Sequence, residues 1–547
     1  MSELPPSPDL SYERKHAKAL LRDCRAGNAD AIARVAAHLP RLVDTVHALK
    51  LADAQLVIAR ERGFESWAKL KAHIDAALPA DQQMDALLAA VETGRPGIVT
   101  RLLGHHPDLP NRNLFAAAAA GDADAVARHI AAEPAAVLAT HGTHAWPPLA
   151  YLCAARVYRT SARRAASVLR AAELLLAAGA SPNSHSLYFE SPQKPVPISV
   201  LYHACMSDNV PLVTLLLDRG ANTQDGESIY HAAQLDRRAC LEALLAHGAD
   251  LSSAQSPYGN TPLYFLVGHH DDEGGRALWF KGLAWLLEHG ADPNVASSHQ
   301  QETPLHGIAA SAPKMATARA LLAHGADPTL PRGDGRTAYA IAVRHGNTEL
   351  AALLREHGAD AEALAPEDEL FGACFDGDAA RARAVLAAHA ELGAAIAVNG
   401  GGALSDAVAH DNPAAIRVLL EVGASLGGEA AGRGTALHLA AWTGKLEMVR
   451  RLLELGAPLE VRDSQFGGSP LGWAIHGSGQ HRGHDATYIA IVDALLAAGA
   501  SRQSPVNKWG TPPEESASPG VAKYLATIGF VPRRRAASAQ QTNGLTD

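Results

Sequence analysis

Apolar residues recur along this chain at two nested intervals. Within "KLEMVRRLLELG" they fall at Leu446, Val449, Leu452 and Leu453, the spacing of one face of a helix. A longer interval repeats the whole arrangement. "TALHLAAWTGKLEMVRRLLELGAPLE" from Thr435 lines up with "TAYAIAVRHGNTELAALLREHGADAE" from Thr337 and "TPLHGIAASAPKMATARALLAHGADPT" from Thr303. Each block predicts a helical hairpin. The leading Thr can accept hydrogen bonds from the free N–H groups of the first helix, and Pro is tolerated at its first position. A short Ala- and Leu-rich helix follows and allows close stacking. Gly444 marks the turn, and Gly456 ends the second helix in a left-handed conformation that costs a residue with a Cβ about 1 kcal/mol or more. Equivalent starts fall near 227, 261, 303, 337, 368, 402, 435 and 469, in steps of 34, 42, 34, 31, 34, 33 and 34. One hairpin cannot bury its apolar face, so neighbours must stack to form the core.

The period and the run Thr303-Pro304-Leu305-His306 resemble the ankyrin repeat, whose signature is T-P-L-H-x-A over 33 residues. A Gly-Ala pair closes the second helix nine times, at Gly179, Gly220, Gly248, Gly290, Gly325, Gly358, Gly423, Gly456 and Gly499. Degenerate units start near 85, 112 and 147, and "GTPPEESASPGVAKYLATIG" reads as a truncated last unit, giving twelve or thirteen in all. The expected fold is an all-α solenoid of stacked helix-turn-helix units joined by β-hairpin loops. Residues 1–80 read as a helical N-terminal cap, with a docking module as the alternative. That stretch, with Phe64 and Trp67, resembles the helical leader of bacterial ankyrin arrays. The array occupies 81–530, and 531–547 reads as a disordered tail. The resemblance implies that the signature histidines His306 and His438 bridge turns. Helix-terminal His247, His289, His324 and His357 should favour the negative end of their helix.

Against this frame, three units carry insertions between their two helices: "RVYRTSARRAAS", "HHDDEGG" and "HGSGQHRGHDAT". All three are expected to project as loops from one edge. The linker "SHSLYFESPQKPVP" lengthens the opposite, hairpin edge once, and "NGGGAL" from Asn399 reads as a hairpin turn. His269, His270, Asp271 and Glu273 make a tempting metal set, as do His476, His481, His484 and Asp485. Neither has the rigid i,i+4 pair of a zinc helix, so no metal or other cofactor is assigned. "WTGKLE" lacks the upstream glycine and the Ser/Thr of a phosphate loop, and no G-x-S-x-G elbow exists, so no catalytic residue is assigned. Cys205 and Cys374 occupy the place of the signature alanine and read as packing residues.

Composition narrows the classes further. Charged residues are 19% and the net charge is -9, too small a field of the wrong sign to capture nucleic acid. Five scattered cysteines without a CxxC fit a reducing compartment, and "MSELPPSPDL" does not read as a signal peptide. No 18 apolar residues run together, so membrane insertion is not expected. The expectation is a cytoplasmic, monomeric, non-enzymatic scaffold for a protein partner, secretion as an effector being left open. The alternatives are a bacterial ankyrin effector or regulator with one protein target, or a metal-dependent enzyme using the His-bearing loops. In ankyrin proteins the hairpin tips and the exposed side of the first helix form a concave binding surface. Those positions here hold Trp146, Tyr258, Asn260, Tyr264, Arg332, Asp334, Arg336, Trp442, Gln465 and Phe466. Aromatic and Arg side chains dominate interface energetics, which favours Tyr258, Arg336, Trp442 and Phe466 among them.

Overall fold

The computed structural model describes residues 10–530, except 26, 41–48, 77–79, 143, 192–193, 255, 257, 269–274, 299–300, 311–313, 363, 431–433, 482, 503–506 and 509–511. The chain forms two compact units, Met1–His299 and Gln300–Asp547. Among the described residues, thirteen successive helical hairpins run from Ala80–Glu92 with Pro96–His105 to a final short turn Pro513–Ser516 with Pro519–Thr527. Six lie in the first unit and seven in the second. In both units first helices pack on first helices and second on second, for example Val200–Ser207 on Ser228–Gln234 and Val210–Asp218 on Arg238–Ala246. Stacking makes the core continuous: in the second unit one apolar cluster extends from Leu370 through Leu404, Leu437 and Leu471 to Phe530.

The local chemistry is that of the sequence pattern. Thr435 N–H donates to His438 Nδ1 at 3.1 Å, and the ring's Nε2–H donates onward to Gly468 O at 3.2 Å. Thr303, His306 and the Arg336 carbonyl repeat this geometry at 3.1 and 3.2 Å. One imidazole thus closes its own helix cap and pins the next hairpin. His247, His289, His324 and His357 each donate from Nδ1 to the carbonyl four residues back, at 2.7 to 2.9 Å, satisfying an acceptor the helix end leaves open. All nine closing glycines have positive φ, +81° at Gly456.

Ahead of the array, Leu10–Arg25, Ala29–His38, Leu51–Glu61 and Trp67–Ala76 enclose a separate cluster that includes Leu20, Val35, Val57, Ile58 and Leu70. Arg62 pairs at 3.0 Å with the fully buried Glu13, and Trp67–Ala76 packs on Pro96–His105 of the first hairpin. The expected tail, 531–547, lies outside the described residues.

Three expectations are corrected. "NGGGAL" is not a turn: Asn399 to Leu404 lie inside the 18-residue helix Leu392–Ala409. Two of its glycines are there for contact: a Cβ on Gly401 would stand 2.5 Å from the Gly428 carbonyl carbon, and one on Gly400 2.9 Å from Ala424 Cβ. By length and composition that helix could span a membrane, but half of it is buried and it packs on Pro413–Glu421 and Ala436–Trp442 as a core helix. Two of the insertions do not project as loops. The first becomes a 3-10 turn, Val157–Thr160, and the start of a 16-residue helix, Ala162–Ala177. Its Arg156, Tyr158 and Arg159 donate to the carbonyls of Met206 and Ser207, clamping the next hairpin. The third extends Pro470–Gln480 and Asp485–Ala497. The "HHDDEGG" insertion, with His269, His270, Asp271 and Glu273, lies outside the described residues.

Candidate partner-binding groove

The long linker of the first unit folds into a two-stranded antiparallel ribbon, β1 (His185–Ser191) and β2 (Lys194–Ser199). Alternation in "SLYFES" and "VPIS" suits a strand pair. Pro195 and Pro197 cannot donate to a neighbour, so β2 is tolerated only as an edge and cannot extend the ribbon on its free side. The far edge of β1 is fixed: Leu187 N–H donates to His144 O at 2.7 Å, and His144 Nδ1 lies 3.0 Å from Leu187 O. So held, the ribbon forms one wall of a groove of about 960 Å³.

The opposite side is built by the first helices of four consecutive hairpins. Counting from each hairpin start, the signature's fifth position holds Tyr151, His203, His231 and Phe265. Stacking brings His203, His231 and Phe265 into the groove lining, while Tyr151 is fully buried beneath it; with Tyr202 and the largely buried Trp146 they form an aromatic ladder. Ring centroids are 4.5 Å apart for Trp146–His203, 5.5 Å for His203–Tyr202 and 5.4 Å for Tyr202–His231. The ladder continues at 5.3 Å for His231–Phe265 and 5.9 Å for Phe265–Trp279. Tyr188 of β1 and Tyr258 of the next hairpin tip stand on the rim, both more than half exposed.

The polar groups are arranged at the two ends. At one end Glu92 accepts the Tyr151 hydroxyl, and Arg156 turns its guanidinium to Met206 O at 2.9 Å. At the other, Glu227 lies 3.1 Å from His231 Nε2, whose Nδ1 donates to Gln234 at 2.7 Å. Burial lowers the His231 pKa, but the hydrogen bonds to Glu227 and Gln234 outweigh it and the net shift is upward. His203, among the rings and 2.9 Å from Ser186 Oγ, is pushed down to about 4 by burial. The groove therefore offers mostly aromatic faces, with Glu92 and the Arg156 guanidinium at one end and the Glu227–His231 pair at the other.

The expected contact residues divide between the units. Tyr258 and Asn260 line the groove, and Tyr264 is half-buried beside it with its N–H on Thr261 Oγ1. Trp146 is a correction: at 7% exposure, packed 5.2 Å from Tyr151, it supports the wall rather than presenting a free ring. In the second unit Arg332, Asp334 and Arg336 do not form an open recognition tip. Arg336 pairs with Asp334, Glu367 and the buried Asp368, each at 2.9 Å, while Arg344 holds the same two carboxylates of Glu367 and Asp368 at 2.8 and 3.0 Å. Arg332 bonds Glu302 and Asp334, which keeps the Asp334 carboxyl far below its usual range. Charges so neutralised lock adjacent hairpins together. Trp442 and Phe466 share a neighbour, packing on Trp473 at 5.8 and 5.9 Å, with Gln465 exposed at the tip. Asp463 anchors that tip by accepting from Trp473 Nε1, Gly468 N and Phe466 N.

Other chemistry is not assembled. His476 stacks on Trp442, His481 bonds Tyr488 Oη at 2.9 Å, and Asp485 accepts from Ser518, so the second His-rich set does not converge on a point. Among the described residues no three His, Cys, Asp or Glu are placed to hold a metal ion. All five cysteines are buried and unbridged. Burial raises the thiol pKa of Cys153 and Cys374, and contact with the Cys240 thiol raises that of Cys205, which disfavours thiolate chemistry.

Helical hairpins stacked first helix on first and second on second define a repeat protein. The chain belongs to the ankyrin repeat family: the family model for ankyrin repeats (3 copies) matches residues 201–296, 276–364, 370–463 and 404–504. Ankyrin repeats mark a protein–protein interaction module. Among solved structures, the human ASB11 ankyrin repeat domain is 22% identical, covers 45% of this chain and 98% of its own, and gives a TM-score of 0.33. No curated protein sequence matches the chain.

Proposed function

We propose that this protein is a non-enzymatic scaffold that receives a segment of a protein partner in the groove of its first unit. The aromatic ladder of Tyr202, His203, His231 and Phe265 along three consecutive hairpins, walled by the ribbon, carries the reading. Rings presented in a row supply large contact area at low conformational cost, the property of interface hot spots. The blocked edge of β2 argues for side-chain docking rather than strand addition. The helices before residue 80 act as the cap that an array needs for solubility. A reducing, cytoplasmic setting is part of this reading, on the five scattered cysteines without a CxxC. Gln465 and Phe466 offer a second, smaller contact surface.

The test is quantitative capture on the immobilised full chain. A Tyr202→Ala/Phe265→Ala double variant should lose a partner that the wild type and a Gln465→Ala control both retain, with unchanged circular dichroism. Equal retention by the double variant would place binding elsewhere.

A further inference from the structure

The rim of the groove already carries a cation on a ring. The ammonium of Lys194, at the start of β2, sits 5.9 Å from the centroid of Tyr258, a residue in the opposite wall. Both side chains are exposed, so the contact is not forced by packing. A ring face attracts an ammonium through its quadrupole, and a nearby carboxylate reinforces it. The same end of the groove holds Glu227, whose side chain is 13% exposed, with the ring faces of Tyr202 and Phe265 in the lining. Asp225 lies behind, accepting from Ser199 and Ser228. Of the basic groups in the lining, His144 is held by the Leu187 carbonyl of the ribbon, Arg156 faces Met206 at the other end, His203 is pushed down to about 4 by burial, and His231, its pKa raised, is held by Glu227.

We propose that the Tyr258 end of the groove accepts a cationic side chain, lysine or arginine, from the bound partner segment, and that Lys194 is a tethered stand-in which this side chain displaces. The proposal rests on the groove reading above and adds the chemistry of the occupant. It also assigns the ribbon a role beyond that of a wall: Lys194 competes for the site and sets a threshold for entry.

Selection of displayed random dodecamer peptides on the full chain, followed by calorimetry of a selected peptide, tests it. One fixed position should be enriched in lysine or arginine. Replacing that residue by norleucine should weaken binding to the wild type by about 3-fold to 30-fold. The penalty should vanish on Tyr258→Leu and persist on Tyr258→Phe, which keeps the ring. Lys194→Met should tighten the parent peptide several-fold. Peptides that need Tyr202 and Phe265 but carry no enriched cation would overturn this inference and leave the groove reading standing. Peptides indifferent to Tyr202→Ala/Phe265→Ala, or no selected peptide at all, would overturn both. An unchanged or weakened affinity on Lys194→Met would remove the stand-in.

Discussion

Two adjacent glycines in one helix should respond with opposite sign to the same substitution. Gly401 and Gly402 both lie inside Leu392–Ala409, where exchanging Gly for Ala gains about 1 kcal/mol of helix propensity. At Gly402 nothing lies within 4 Å of a new Cβ, so Gly402→Ala should stabilise the second unit by about 0.5–1 kcal/mol. At Gly401 the new Cβ would meet Gly428 C at 2.5 Å, Gly428 O at 2.6 Å and Glu429 N at 2.9 Å. All three are backbone atoms of a hairpin held by Gly428 N to Ser425 O at 2.9 Å and by the pairing of Glu429 with Thr435, so they cannot swing aside. Overpacking of this kind costs about 1–3 kcal/mol, and set against the propensity gain it leaves Gly401→Ala destabilised by up to about 2 kcal/mol. Equilibrium urea unfolding followed by Trp442 and Trp473 fluorescence measures both. Shifts of the same sign in the two variants would refute the argument that backbone contact, not turn formation, selects glycine here.

Other consequences can be measured on the same protein. Burial lowers the pKa values of His203, His306 and His438 in the fold, His203 to about 4, against about 6.5 in an unfolded chain. Their neutral forms thus contribute stability that is complete above pH about 6.5 and lost as pH falls through the folded values. For His203 the loss reaches at most about 3 kcal/mol, less to the extent that the ring still meets water. Melting temperatures from pH 7.5 to 4 should fall less steeply for His203→Phe than for the wild type, and identical slopes would contradict this. Arg336→Ala leaves the 1%-exposed Asp368 with Arg344 alone and should cost about 2–3 kcal/mol in urea unfolding. A loss under about 0.5 kcal/mol would mean the network is screened like ordinary surface pairs. Asp463→Ala strips the partner from Trp473 Nε1, Gly468 N and Phe466 N, and should cost about 2–3 kcal/mol with a red shift of tryptophan emission. An unshifted spectrum would show the tip to be held by other contacts.

Much of the fold was legible because each unit repeats its own local rules. Thr435 and His438, Gly456, and the helix-terminal histidines are read from positions within one block, and their partners are at most one block away. The exceptions lie where that rule is suspended. "NGGGAL" has the composition of a turn, and only the approach of Gly428 to Gly401 and of Ala424 to Gly400 shows what glycine is needed for inside this helix, while Gly402 meets nothing. The insertions after Cys153 and at His476 look like loops because excess length suggests projection, whereas helix extension absorbs it. At the candidate site, Tyr258 and Asn260 were found by their place at a hairpin tip. His203, His231, Phe265 and Tyr202 were missed, although a count to the fifth signature position in successive units would have aligned all but Tyr202. The tip position of Arg336 suggests exposure, but the carboxylates that bind it arrive from the next hairpin.

By itself, the sequence determined the repeat, its capping and its closing turns, because helical periodicity and left-handed glycines act within a few residues of chain. Tertiary structure decided which faces remain for a partner. Whether Trp146, Arg336 or Phe265 is offered or consumed depends on side chains contributed by other hairpins, through packing and ion pairing that no single block contains. The ribbon shows this division most clearly. Its length and edge prolines are written in "SLYFESPQKPVPIS", but its service as a groove wall, with Lys194 over Tyr258, follows only from the stack that sets it opposite the aromatic ladder.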